Sequence, residues 1–439
     1  MRNNTLRDTG YALLVAVVLV PNALMSAQTP DPYRSVAERY VKLVLAVGQH
    51  DADYVDAFYG PGEWKKEAED AKKPLAAIDA DAAAAETDLN GVNYKPALDG
   101  EMWMLRRQYL SRQLAALRSR VAMLQGRKLT FDEESKALYD AVAPVIPESE
   151  FASVLAQLSS RLPGDGPLID RYDRYKQGFV IPKNRLDRVF QEAIRGCRSR
   201  MPSIVSLPAD ERFTVEYVTG KSWSGYNWYQ GNFRSLIQVN TDLPVYIDRA
   251  LDLACHEGYP GHHVYNALLE KNLVKDRGWI EYTVYPLFSP QSLIAEGTAN
   301  YGIEVAFSMA DRLRFESDVL FPIAGLDASK VAEYYGVLAL VERLSYAGNE
   351  AARQYLDGKI DREGAIAWLE KYAMYTRPRA EQRLRFIEQY RSYVINYNLG
   401  KDLVRAYVEK QMGREKTPIR RWREFTTLLS SPRLPSGLK

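Results

Sequence analysis

Pro260 and Gly261 lie inside the densest histidine cluster of the chain, and they limit what the segment around them can become. The window reads His256-Glu257-Gly258-Tyr259-Pro260-Gly261-His262-His263 and holds three of the four histidines, the other being His50. Ile247, Ala250, Leu251 and Ala254 lead into it at helical spacing. Proline lacks an N–H and its ring clashes with the preceding turn, so a regular helix cannot pass through residue 260 undisturbed, whereas glycine accepts backbone angles that other residues avoid. Along a straight helix His262 and His263 would stand about 9 and 10.5 Å beyond His256. A kink or bulge brings one of them back. On a straight helix His263 shares the azimuth of His256, and a bulge can reverse that order, so spacing alone leaves the partner of His256 open.

Imidazole is the commonest zinc ligand, and a His followed at once by Glu, with further His nearby, is how metallohydrolases set ligands beside a general base. In the HExxH arrangement the two His are four apart; here the spacing is six or seven. A hydrolytic zinc site takes three protein ligands and keeps one position for water, so a third ligand is expected from a separate helix. Glu296, in Leu293-Ile-Ala-Glu-Gly-Thr-Ala-Asn-Tyr301, is the candidate, with Glu304 a weaker competitor. Asn300, one turn on, is placed to orient a ligand from behind. Glu257 suits the base that takes the proton as water attacks a carbonyl and passes it to the leaving nitrogen. The expected cofactor is one Zn2+ per chain.

The 439 residues, 46% hydrophobic and 26% charged, can bury a large core. Arg2 and Arg7, the apolar run from Tyr11 to Val20, and Met25-Ser-Ala27 read as a signal peptide over residues 1–27. Its removal leaves a net charge near zero, so a nucleic-acid role is excluded. The mature chain is expected to be periplasmic or secreted, with no stable membrane anchor. Cys197 and Cys255 are the only cysteines; a buried free thiol is the favoured reading of Cys255 and a single bridge the alternative.

Helical periodicity marks Tyr33–Val47, Pro96–Leu124, a segment from Asp132 to Val142, Ser149–Leu162 and Leu186–Met201. Strand-like alternation follows at Arg212–Val218 and Ser235–Asn240, and helices resume from Ser289-Pro290. The fold class expected is mainly α, a large helical zinc-metallopeptidase-like fold with a small β-sheet next to the active-site helix. Residues 28–206 form a helical region contributing to the cleft or a lid, and 207–439 carry the metal site, the two making one compact unit.

His256 to His263 resembles the HExxPGH signature of the bacterial domain of unknown function 885 family, relatives of gluzincin-like zinc metallopeptidases. Ala295-Glu-Gly-Thr-Ala-Asn-Tyr301 resembles that family's downstream EG segment, and Tyr390-Arg-Ser-Tyr-Val-Ile-Asn-Tyr-Asn-Leu-Gly400 its late tyrosine-rich helix. The resemblance implies His256, His262 and Glu296 as ligands, with His263 the alternative second ligand, and Glu257 as base.

A donor is also needed near the carbonyl oxygen that becomes negative. Tyr393 is preferred over Tyr397, being further inside the late helix. Arg377, Arg379, Arg385 and Arg391 form a basic series, of which Arg391 is the candidate for a substrate carboxylate. Gln238 and Asn240 would flank an extended peptide if the second strand presents a free edge. The function expected is hydrolysis of short peptides by Glu-assisted attack of metal-bound water. The alternatives are a non-catalytic periplasmic metal-containing binding or scaffold protein, or a metallohydrolase of a non-peptide amide or ester.

Overall fold

A computed structural model describes residue 1, residues 31–95 and residues 99–439. The leader expected over 1–27 and the first three residues of the helix expected from Pro96 lie outside the described residues. The expected helices occur as Arg34–Val47, Gly100–Leu124, Phe131–Tyr139, Glu148–Arg161 and Leu186–Ser199. Local chemistry sets several ends. Thr130 and Glu133 form a reciprocal capping box at the start of Phe131–Tyr139, and Pro290 occupies the first turn of Pro290–Ala306. Among the described residues no helix is long and apolar enough to cross a membrane.

Five short strands are described: β1 (Val55–Phe58), β2 (Arg212–Val218), β3 (Gly225–Tyr229), β4 (Arg234–Asn240) and β5 (Val284–Pro286). β1 pairs antiparallel with β5, and the other three form a sheet in the order β2-β4-β3, with β4 parallel to β2 and antiparallel to β3. β2 and β4 match the alternation read from the residues, whereas β3 was hidden in an aromatic, glycine-rich run. The expectation of a free edge on β4 is corrected: it is the central strand. Gln238 stands between Glu216 and Tyr226 in register, and its side chain accepts from Trp228 Nε1 at 3.1 Å and donates to Glu216 at 3.2 Å. Asn240 donates to the Lys221 and Trp223 carbonyls at 3.0 and 2.8 Å. Both amides are used in holding the sheet together.

Residues Tyr33–Lys439 form one compact unit. Its centre is the crossing of Pro290–Ala306 with the helix Ile395–Gln411, made through two glycines. A Cβ at Gly297 would lie 2.5 Å from the Gly400 carbonyl carbon, and one at Gly400 would lie 2.8 Å from the Leu293 carbonyl oxygen. Backbones meet there because neither residue has a side chain. The free-thiol reading is also corrected: Cys197, on Leu186–Ser199, and Cys255 form a disulfide with Cα atoms 5.7 Å apart, inside the span such a bridge allows. The bridge ties a second helix to the residue just before His256.

Candidate metal centre

The helix Ile247–Leu253 widens into a π-helical turn over Ala254–Gly258, breaks at Tyr259 and a cis Tyr259–Pro260 bond, and restarts as His262–Leu269. Gly261 is required at the break: its N–H donates to the Cys255 carbonyl at 2.9 Å, and a Cβ there would collide with the His256 carbonyl oxygen. The extra residues are thus absorbed locally, and His262 returns to His256.

Their Nε2 atoms stand 3.1 Å apart. Glu296 Oε2, from Pro290–Ala306, lies 3.2 Å from His256 Nε2 and 3.6 Å from His262 Nε2. Zinc–ligand bonds of about 2.0–2.1 Å in a tetrahedron place ligand atoms about 3.3 Å apart, so the three separations fit one face of such a site. Two further observations bear on the fit. Glu296 Oε2 is buried and makes no hydrogen bond of proper geometry. His256 Nδ1 donates to Asn300 Oδ1 at 3.1 Å, Asn300 being oriented by its own donation to the Tyr397 carbonyl at 3.1 Å, which leaves Nε2 of His256 facing the cluster. The donor set suits a zinc ion.

Electrostatics agree that the cluster calls for positive charge. Burial alone would raise the Glu296 pKa, but the close approach of the His256 and His262 nitrogens to its carboxylate holds it well below the carboxylate range. Burial disfavours charge on His262, yet Glu296, Glu257 and Asp56 together push its pKa up to about 9. Glu257 is raised by burial and partly restrained by the two histidines. Its Oε1 lies 4.0 Å from His256 Nε2, beyond the separation that suits a fellow ligand and close enough for a base acting beside the metal. His256, Glu257 and His262 offer atoms within 4.8 Å of one another; the shorter separations to Glu296 make it the better third ligand.

His263 lies elsewhere. It is fully buried, with Nδ1 2.9 Å from Ser235 Oγ and Nε2 2.8 Å from Glu211 Oε2, so it joins the metal helix to β4. Tyr393 donates to Glu296 Oε1 at 2.8 Å, which makes it an orienter of the candidate ligand and leaves it no proton for a substrate oxygen. Tyr397, half-buried, packs its ring 5.8 Å from that of Tyr393. Arg391 is corrected as a substrate anchor: its Nε donates to the buried Glu134 at 2.7 Å. Glu304 is held by Arg405 and Lys401 and plays no part in the cluster.

Asp56, on β1, escaped the sequence reading. Burial, offset by His262 and reinforced by Glu296 and Glu257, raises its pKa to about 7, and the Tyr226 hydroxyl donates to it. No spacing rule links residue 56 to residue 256; only the β1–β5 pairing brings it near. Asp56 and Tyr226 line a cavity of about 790 Å³ with Trp223, Trp228, Arg385 and Tyr390, within the range of small-ligand sites.

No protein-family model and no curated protein matches the chain, so the family resemblance is carried by the motif residues alone. Solved structures with a similar course include a Colwellia psychrerythraea protein assigned as a lipoprotein, with 14% identity, TM-score 0.49 and coverage of 82% of this chain. The chain spans 65% of that protein's length. They also include an M32 carboxypeptidase from Deinococcus radiodurans R1, at 13% identity, TM-score 0.45 and coverage of 91% of this chain and 89% of that one. A third is Trypanosoma cruzi metallocarboxypeptidase 1, at 14% identity, TM-score 0.35 and 90% of each chain. At these levels function has to be argued from the site.

Proposed function

We propose that this chain is an exported zinc-dependent peptidase acting on short peptides. The observation that carries the reading is the buried triangle of His256 Nε2, His262 Nε2 and Glu296 Oε2, with sides of 3.1, 3.2 and 3.6 Å, beside the Glu257 carboxylate. His256, His262 and Glu296 would hold a zinc ion, which would supply Lewis acidity and an activated water there. Glu257, its proton affinity raised by burial, accepts the proton and returns it to the leaving nitrogen. Tyr397, whose hydroxyl is kept protonated by burial and by the Glu296 charge, is the donor left for the developing oxyanion.

Two features favour a peptide. β3 is an edge strand, paired only with β4 among the described residues, and an extended chain can add to such an edge. Its first residue, Gly225, abuts the base: a Cβ there would lie 2.8 Å from Glu257 Oε1. The disulfide supports export, since such bridges persist in oxidising compartments.

Elemental mass spectrometry of purified protein, with a peptide-library digest, tests the reading. About one zinc per chain and cleavage reduced about 10²- to 10⁴-fold in Glu257→Gln, with zinc retained, are expected. Failure to bind zinc after reconstitution would end it. Zinc binding with hydrolysis of esters or simple amides alone would move the assignment to a non-peptide bond.

A further inference from the structure

β1 and β5 do not pair residue for residue. Their register steps from Val55 opposite Pro286 to Ala57 opposite Tyr285, which leaves Asp56 as the extra residue of a bulge. A bulge frees a residue from the ladder and re-aims its side chain. Here that side chain lines the cavity of about 790 Å³. Two walls of the cavity reach the metal centre. Tyr226 follows Gly225, whose Cβ would lie 2.8 Å from Glu257 Oε1, and the Tyr390 ring lies 6.1 Å from that of Tyr393, which donates to Glu296.

Asp56 is half-buried and has no cation of its own. Among the described residues the Tyr226 hydroxyl is the one side chain that donates to it, on Oδ1, and no Lys, Arg or His stands within ion-pair distance. Asp51, earlier in the same segment, shows how a structural acid is treated: Arg120 reaches it at 2.7 Å. A neutral hydroxyl gives one hydrogen bond and no charge, so Asp56 Oδ2 is left for a cation from outside. The rest of the wall favours one. Asp53, Asp56, Asp242 and Glu381 line the cavity against Lys221 and Arg385, four carboxylates to two cations, and both cations are exposed. Glu381 has an ion pair with Arg377 at 3.1 Å, but Asp53 takes the Gln389 amide at 3.0 Å and Asp242 the Gly220 N–H at 2.8 Å, both neutral donors. Trp223, Tyr226 and Trp228 stand in series on the same wall, with ring centroids 5.4 and 4.6 Å apart. Large rings facing a cavity attract cations to their faces.

We infer that Asp56, with the rings of Trp223 and Tyr226, forms a subsite for a substrate ammonium group, so that the enzyme selects short peptides carrying a free amino terminus or a lysine side chain near the bond to be cut. The inference rests on the peptidase reading and names its substrate class. Asp56 determines specificity in this arrangement: it accepts from the ammonium N–H groups while the Tyr226 hydroxyl holds its other oxygen.

Calorimetric binding to the zinc-loaded Glu257→Gln protein tests it with two matched pairs of peptides: trialanine amide against its N-acetylated form, and N-acetyl-lysyl-dialanine amide against N-acetyl-norleucyl-dialanine amide. The unmodified enzyme is assayed for turnover of the same four. In at least one pair the ammonium-bearing member is expected to bind about 10- to 100-fold more tightly, with the margin shrinking as salt is added. A margin in the first pair assigns the subsite to the amino terminus, and one in the second assigns it to a side chain. Asp56→Asn should abolish the margin with zinc still at about one per chain, and Asp56→Glu should restore part of it. Lys221→Gln/Arg385→Gln, which changes exposed groups alone, should widen the margin by removing competing charge. No margin in either pair, an unchanged margin in Asp56→Asn, or a margin that fails to widen in the glutamine pair overturns the inference. A binding margin without cleavage of any peptide would sink the peptidase reading and keep the ammonium site; cleavage of all four peptides with equal affinity would do the reverse.

Discussion

Glu281 and Glu296 are both buried carboxylates, and the chain treats them in opposite ways. Glu281 meets Arg106, whose Nε and terminal nitrogen reach its two oxygens at 2.5 and 3.0 Å with both side chains fully buried. That pair brings its own positive charge and its own N–H donors. Glu296 has Tyr393 on one oxygen and two imidazole nitrogens facing the other. Around Glu281 the fold places a fixed cation; around Glu296 it places two imidazoles, whose nitrogens can also serve as metal ligands. The first carboxylate is satisfied by the protein alone, and the second, on the proposed function, is completed by a metal ion.

The sharpest way to break this comparison is to neutralise each acid in turn. Glu281→Gln leaves the Arg106 charge buried without its partner and should cost about 3–5 kcal/mol in denaturant unfolding. Zinc bound per folded chain should not change. Glu296→Gln should differ in the metal readout, with zinc content falling from about one per chain to nearly none. If Glu296→Gln kept its zinc as Glu281→Gln does, Glu296 would be a structural acid and the site would need another third ligand.

A smaller effect separates the adjacent histidines. His263→Ala removes the partner of Ser235 and one partner of Glu211, which keeps Arg198 at 2.7 Å and Tyr259 at 2.8 Å. The expected loss is about 1–3 kcal/mol with zinc retained. His262→Ala should lose zinc, with less effect on metal-free stability. Similar zinc retention in both variants would show that the break at Pro260 has been placed wrongly.

The helical framework, β2, β4 and the helix starting at Ser289-Pro290 were legible because each rests on local chemistry: periodicity, alternation, or a proline in a first turn. The candidate ligands were legible for the same reason, since His256, Glu257 and His262 share one window and Glu296 stands in a distinctive small-residue segment. The choice between His262 and His263 was not open to spacing, because it depends on how Ala254–Gly258 widens and how Gly261 packs on the His256 carbonyl. Asp56 was invisible for a different reason: its proximity to the site is set by long-range packing, by β1 against β5. Arg391 shows the converse error: an arginine in a promising series was already committed to Glu134, a partner distant in the chain.

The smallest expected effect concerns two tyrosines that the chain places side by side. Tyr393→Phe removes the hydroxyl that holds Glu296 Oε1, so zinc affinity should fall about 10- to 100-fold. Once zinc is saturating, kcat should remain close to its original value, because Tyr393 acts through the ligand and has no proton to offer the substrate. Tyr397→Phe should give the reverse, with zinc affinity unchanged and kcat lowered at every zinc concentration. Competition with a chromogenic chelator gives the affinities, and turnover at saturating zinc gives the rest. Should Tyr393→Phe lower kcat at full zinc occupancy while leaving affinity intact, the oxyanion donor would be Tyr393, and Glu296 would keep its orientation through His256 and His262 alone.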